Sequence, residues 1–379
     1  MMIRQLLATL MIVLGLMPIV RAENGVRSDE VRVGMANAQS GPASGLGRSL
    51  LAGAQAYFVR VNAAGGVNGR RITLLVKDDG YEPERSVTLT EALIESEQVF
   101  ALLGYVGTPT SRAAVPIALG AGVPYLFPFT GADFLRTPIK PWVFNIRASY
   151  FDETEEMVER MTSDLGLRKI ALLLQDDSFG ESVKSGLAGA LYKRGLKIDT
   201  EARILRNSLE EVRAAVGALS AAQPEAIVFV GTYRQLAVAI AQAKALGITA
   251  QFFTVSFIGT EDFIAAAGAD AEGVYITQVM PSPNDTSRAI IRNYLADIAP
   301  SDIGYTSLEG YVDAAIFVAA LRNAGPQPTR TKLVTALEAL NVDLGGFKVA
   351  FSPTNHQGSN EVFLTQVRNG RAVPVEPLR

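Results

Sequence analysis

One histidine, His356, and no cysteine are available for chemistry in this sequence of 379 residues. A Ser-His-Asp triad, a multi-histidine metal centre, a thiolate nucleophile and a zinc–thiolate site therefore lack their residues. Gly45-Leu46-Gly47 opens like a dinucleotide fingerprint, but the third glycine is missing and the loop before it is too long for a Rossmann turn. Gly41-Pro42-Ala43-Ser44-Gly45 has its serine in the wrong place for a nucleophile elbow, and no Walker A sequence occurs. Asp78-Asp79 and Asp176-Asp177 each end an apolar run; metal binding is open to them, but turn or helix capping is the commoner use. His356, within Pro353 to Gly358, reads as a surface turn, and Asn284-Asp285-Thr286 matches a glycosylation sequon. No catalytic residue, metal ligand or cofactor is expected.

Recognition chemistry is better represented. Gln39-Ser40-Gly41-Pro42, the stretch Gly104-Tyr105-Val106-Gly107-Thr108-Pro109-Thr110-Ser111, and Pro128-Phe129-Thr130-Gly131 each follow an apolar run and are small and polar. Hydroxyls and backbone N–H groups at helix N-termini suit a carboxylate or another polar head group. Capping explains each loop singly; their convergence at one sheet edge would make a site.

The elements that would place these loops alternate. Strands are expected at 31–36, 71–77, 99–104 and 123–127, with helices at 48–62, 86–96 and 111–119 between them. After Pro138 to Pro141 the rhythm restarts. Strands are expected at 169–174, 196–202, 225–230 and 251–255, with helices from Tyr150, at 181–194, 209–222 and 233–246. Helices between continuous apolar strands imply parallel βαβ units with both sheet faces covered. Long helices follow at 287–298 and 306–323, the second opening on a capping-box pattern, Thr306-Ser307-Leu308-Glu309. Strands at 347–351 and 361–367 and an Asn369-Gly370 hairpin turn end the chain. The fold class is α/β: two doubly wound parallel-sheet lobes without a flexible linker, hence a hinge of short crossings.

Hydrophobic content of 48% with 19% charged residues describes a well-buried globular protein, and a net charge of −3 without a basic stripe argues against nucleic acid as a partner. Arg4, the apolar run Leu6 to Val20 and Val20-Arg21-Ala22 form a signal-peptide pattern with cleavage after Ala22. The run falls short of the ~20 residues a membrane span needs. An exported protein is therefore expected, with 1–22 as its signal peptide.

Val31-Arg32-Val33-Gly34 with Ser40-Gly41-Pro42 resembles the opening of the leucine/isoleucine/valine-binding protein family. Asn62-Ala63-Ala64-Gly65-Gly66-Val67-Asn68-Gly69, Lys77-Asp78-Asp79, Pro83, Asp176-Asp177-Ser178-Phe179-Gly180, Gly231-Thr232-Tyr233 and Glu272-Gly273-Val274 continue the resemblance across the mature chain. It implies a type I periplasmic-binding fold with crossings near 147–150, 277–281 and 351–356, hence 23–148 plus 279–352 as the first lobe and 149–278 plus 353–379 as the second, and a periplasmic monomer that binds a small molecule and delivers it to an ABC permease in the inner membrane. The implied ligand-binding positions are Thr108, Pro109, Thr110, Phe129, Thr130, Gly131, Phe179 and Tyr233, with Tyr150 after the first crossing. Ser256 stands where the family places the acid that pairs with a ligand ammonium. A buried ammonium needs a partner. Either another acid serves, such as Asp152 or Glu153, or the ligand is not an α-amino acid but an aromatic or apolar carboxylate, which Phe129, Phe179, Tyr150, Tyr233 and Phe257 would suit. The ligand classes implied are thus a branched-chain or other apolar amino acid and an aromatic or apolar carboxylate, with a sensor module as the rival to transport and a Rossmann-like enzyme as the weaker one.

Overall fold

A computed structural model describes residues 23–375; the signal-peptide pattern at 1–22 lies outside the described residues. Two sheets share one winding. The first has the order β2-β1-β3-β4-β5 and is parallel throughout, from β1 (Glu30–Asn37), β2 (Arg71–Asp78), β3 (Ala101–Leu103), β4 (Tyr125–Leu126) and β5 (Val143–Phe144). The second repeats it as β7-β6-β8-β9-β10, from β6 (Ile170–Gln175), β7 (Ile198–Ile204), β8 (Ala226–Val230), β9 (Gln251–Thr254) and β10 (Tyr275–Gln278). An antiparallel hairpin, β13 (Phe363–Arg368) and β14 (Arg371–Pro374), extends its β10 edge. Asn369 and Gly370 have φ of 51° and 69°, the mirror-image turn that matches strand twist.

Burial follows position in the sheet. Every residue of β6 and β8 is buried, whereas edge strand β7 alternates exposed and half-buried residues until Ile204. In each sheet the order reverses between the first strand and its two neighbours. The loops after β1, β3, β6 and β8 therefore open into a crevice at the carboxyl ends. The two crevices face each other.

Helix α1 (Ser44–Ala63) packs along α10 (Tyr305–Asn323) on one face of the first sheet, and α2 (Pro83–Glu95) along α3 (Thr108–Gly120) on the other. Around the second sheet, α4 (Tyr150–Glu159) pairs with α5 (Ser178–Tyr192), α6 (Val212–Ser220) with α7 (Tyr233–Ala245), and α7 with α8 (Thr260–Ala267). Helices α9 (Ala289–Asp297) and α11 (Arg330–Glu338) and the small sheet of β11 (Asn341–Asp343) and β12 (Lys348–Ala350) return to the first body. The chain thus passes between the bodies after β5, after β10 and after β12. The first and third passages are zipped together: Asn145 donates to the His356 carbonyl at 2.9 Å, and Gly358 to the Asn145 carbonyl at 2.7 Å.

His356 is not in a surface turn. It is 3% exposed, stacks on Phe144 at 3.9 Å between centroids, and its Nδ1 lies 2.9 Å from the Val143 carbonyl. That contact requires a proton on Nδ1. The local turn residues around it are real, but the third passage folds them onto the first, so the ring becomes hinge core. The capping box at Thr306–Glu309 is also absent: Gly304 is the N-cap of α10, without a side-chain cap, and Glu309 points inward. Asp79 and Asp177 do cap, accepting from the amides of Tyr81 and Phe179 at 2.8 and 2.9 Å.

Glycine lets α1 and α10 touch backbone to backbone. A Cβ on Gly53 would lie 1.7 Å from the Ser307 carbonyl oxygen, and one on Gly310 2.0 Å from that of Leu50. Gly189 in α5 faces open space. Gly310→Ala is expected to destabilise by roughly 1–3 kcal/mol through overpacking, and Gly189→Ala to stabilise by roughly 0.4–1 kcal/mol; urea unfolding of both variants gives the opposite signs, and equal shifts would contradict the close approach.

Candidate ligand-binding cleft

The lobes meet over the loops the sequence singled out. Thr108 begins α3, so its hydroxyl stands at a helix N-terminus, and it bonds the Thr130 hydroxyl at 2.7 Å. Thr130 in turn reaches the Tyr150 hydroxyl at 3.2 Å. Phe127 holds a left-handed φ of 54°, which turns the chain after β4 so that Phe129 to Gly131 line the crevice. Gly131 is required there, because a Cβ would come within 2.7 Å of Tyr150. Thr108, Thr130, Gly131 and Tyr150 therefore form one group. Pro109 is buried in the first turn of α3, and the Thr110 hydroxyl is bound to the Val106 and Gly107 carbonyls, which spends it within its own turn.

From the second body, Phe179 packs on Tyr150 at 5.5 Å and on Phe257 at 4.5 Å. Tyr233 lies apart from that group. Its hydroxyl accepts from the Gly45 amide at 3.2 Å, a bond that ties α7 to the start of α1 across the crevice. Beside it opens a cavity of about 730 Å³ lined by Ser44, Arg48, Arg234, Asp262 and Thr306 among others. The latch is repeated at the opposite rim, where Arg206 and Asn207 reach Glu82 at 3.0 and 2.8 Å.

Ser256 has the acid its position lacked. Its amide and hydroxyl donate to Glu153 at 2.8 and 3.0 Å, and Thr277 donates to the same carboxylate at 2.6 Å. Asp152 is committed elsewhere, accepting from the amide of Ser149 and from Gln357. The sequence reading missed the centre of this network. Arg147, 1% exposed, places Nε 2.9 Å from Glu309 Oε1 and donates through Nη2 to Glu309 Oε2 at 3.1 Å and to Ser256 at 2.9 Å. Its guanidinium lies 4.2 Å from the centroid of the Phe129 ring. Asp313, one turn beyond Glu309 on α10, is also buried, and neither carboxylate oxygen has a hydrogen-bond partner. Their signal was legible: α10 is apolar on all sides, so two acids four residues apart inside it must face something polar.

Three carboxyls, Glu153, Glu309 and Asp313, gather about Arg147, with the buried Arg136 within electrostatic reach of Glu309. Burial drives the Glu309 carboxyl up to about 7 against the pull of Arg147. Burial likewise raises Asp313, reinforced by Glu309, and raises Glu153. For Arg147 burial acts downward, but Glu309 and Glu153 hold it above its ordinary value, so it stays charged. The site therefore gathers two buried arginines, Arg147 and Arg136, with carboxyls of which a fraction is protonated near neutrality.

Among the described residues no helix is long and apolar enough to cross a membrane. A family model described as periplasmic binding protein matches residues 30–372. The crystal structure of a possible leucine/isoleucine/valine-binding protein from Rhodopirellula baltica SH 1 superposes with a TM-score of 0.88 at 30% identity, covering 95% of this chain and all 100% of that one. A substrate-binding periplasmic protein from Ralstonia solanacearum gives 0.85 at 31% identity, over 91% of this chain and 99% of that one. The leucine-, isoleucine-, valine-, threonine- and alanine-binding protein of Pseudomonas aeruginosa is 22% identical over 344 residues, 90% of this chain and 88% of its own length. With its paired, identically wound sheets and three passages between them, the chain belongs to the periplasmic binding protein family, in the leucine/isoleucine/valine-binding group with the type I fold, whose members bind solutes rather than transform them.

Proposed function

We propose that this protein captures an apolar α-amino acid in the periplasm by hinge closure and hands it to an ABC permease. The lobes are then 23–148 with 279–352, and 149–278 with 353–379. The observation that carries the reading is the Glu153 carboxylate held at Ser256, one helical turn from Tyr150, whose hydroxyl joins those of Thr108 and Thr130. A zwitterion needs an anionic partner for its ammonium and neutral donors for its carboxylate, and the cleft has both. An aromatic or apolar acid without the amine would offer the buried Glu153 carboxylate no cation, which favours the amino acid. Closure gains from contacts each lobe makes only when shut: Tyr233 on Gly45, Arg206 on Glu82 and Gln175 on Tyr81.

Melting curves with each of the common amino acids at millimolar concentration should rise for apolar ones by mass action; no rise with any of them would end the amino-acid reading. Glu153→Gln is expected to weaken that binding by roughly ten- to a hundredfold, the loss of a charge-assisted bond of about 1.5–3 kcal/mol, while Asp152→Asn leaves affinity within about threefold. The pH dependence has a definite sign. An ammonium favours the ionised cluster and protons compete with it, so affinity should fall as pH drops from 8 to 5.5 through the Glu309 value of about 7. Calorimetry in that range on wild type and Glu309→Gln checks this, the variant being the flatter; a pH-independent wild type contradicts it.

A further inference from the structure

In this closed arrangement the interior of the cleft is filled by the protein itself. Phe257, on the turn after β9, is fully buried, with its ring centroid 4.5 Å from Phe179, 5.6 Å from Phe129 and 5.9 Å from Tyr81. Tyr81 and Phe129 belong to the first lobe and Phe179 to the second, so this ring of the second lobe carries apolar packing across the crevice. The space left beside it, between Phe129, Arg147, Ser256, Met280, Tyr305 and Glu309, is about 10 Å³. That holds one water molecule and no amino acid. A solute that takes the space among Tyr81, Phe129 and Phe179 must displace the Phe257 ring, and must then cover the aromatic walls that the ring now covers.

We propose that Phe257 is the specificity-determining residue of the cleft: its ring stands where the side chain of the captured solute goes, and the ligand class is accordingly an aromatic α-amino acid, whose ring can replace it face for face. This rests on the amino-acid reading above and narrows it. A glycine or alanine would displace the ring and leave an apolar void, which costs lost contacts on every wall. The walls accept a six-membered ring in tilted contacts with centroids 4.5 to 5.9 Å apart, within the range of favourable aromatic pairs. Gly259, two residues on at φ 71°, takes a left-handed turn position where a Cβ would lie 2.4 Å from the Leu46 side chain of the first lobe.

The test combines scattering and calorimetry on the mature protein, with Phe257→Ala and Phe257→Leu checked for folding by circular dichroism. Small-angle scattering with no amino acid added should show wild type compact and Phe257→Ala wider, because the lobes no longer share a ring, with Phe257→Leu between. Equal radii for wild type and Phe257→Ala would overturn the role of Phe257. In calorimetry, Phe257→Ala should bind L-phenylalanine about tenfold or more tighter than wild type, since the competing ring is gone, and glycine should change by less than about twofold. Loss of L-phenylalanine binding in a folded Phe257→Ala, or equal gains for glycine and L-phenylalanine, would also overturn it. If neither protein binds any amino acid, the amino-acid reading falls, and the scattering result alone decides whether Phe257 holds the cleft shut.

Discussion

A guanidinium with almost no access to water organises the centre of this molecule. Desolvating one charge costs several kcal/mol unless it is paired and hydrogen-bonded, and removing one partner of such a pair costs about 3–5 kcal/mol. Arg147 meets that demand by recruiting from everywhere around it: Glu309 from a helix of the first lobe, Ser256 from a turn of the second, and the face of Phe129 from a crevice loop. It does so from the first chain passage between the lobes, beside the point where Asn145 is zipped to His356 and Gly358. Hinge, cleft and both lobes therefore share one electrostatic requirement. Disturbing the angle between the lobes moves Ser256 relative to Glu309, and Arg147 loses a partner.

Around that charge the cleft is dry and self-complementary. Tyr81, Phe129, Tyr150, Phe179 and Phe257 form a continuous aromatic layer, edged by paired hydroxyls such as Thr108 with Thr130 and by Ser256 on Glu153. The Asp313 carboxyl has burial against it and no hydrogen-bond donor beside it, so that it holds a proton readily. A binding protein works by the difference between open and shut, and only contacts absent from the open form contribute to that difference. Latches at two rims and a shared ring in the middle are contacts of that type.

The local reading of the chain succeeded wherever the physics is local. Continuous apolar runs such as Ile170–Gln175 and Ala226–Val230 became buried parallel strands, and Asp79 and Asp177 became caps because a short carboxylate beside free amides has one economical use. The crevice loops at Thr108 and Thr130 were found because strand order places carboxyl-end loops together. It failed where a residue's partner is remote in sequence. His356 sits among turn residues and was assigned to the surface, while Phe144, some two hundred positions earlier, provides the face on which it stacks. Glu309 fits a capping box by spacing, but Arg147 outcompetes a helix amide for its carboxylate, since an ion pair in a desolvated site outweighs a cap that solvent can replace.

By itself the sequence determined the class of fold, the doubled winding, the loops that face the crevice and the poverty of catalytic groups, because periodicity, turn chemistry and composition act over a few residues at a time. Only the tertiary structure decided which charges meet. That Glu153 arrives at Ser256, that Arg147 holds Glu309 with Asp313 a turn behind it, and that Phe257 fills the space between Phe129 and Phe179 all depend on two lobes closing against each other. Coulombic and packing energies are set by distances across that closure, and separation along the chain carries no record of them.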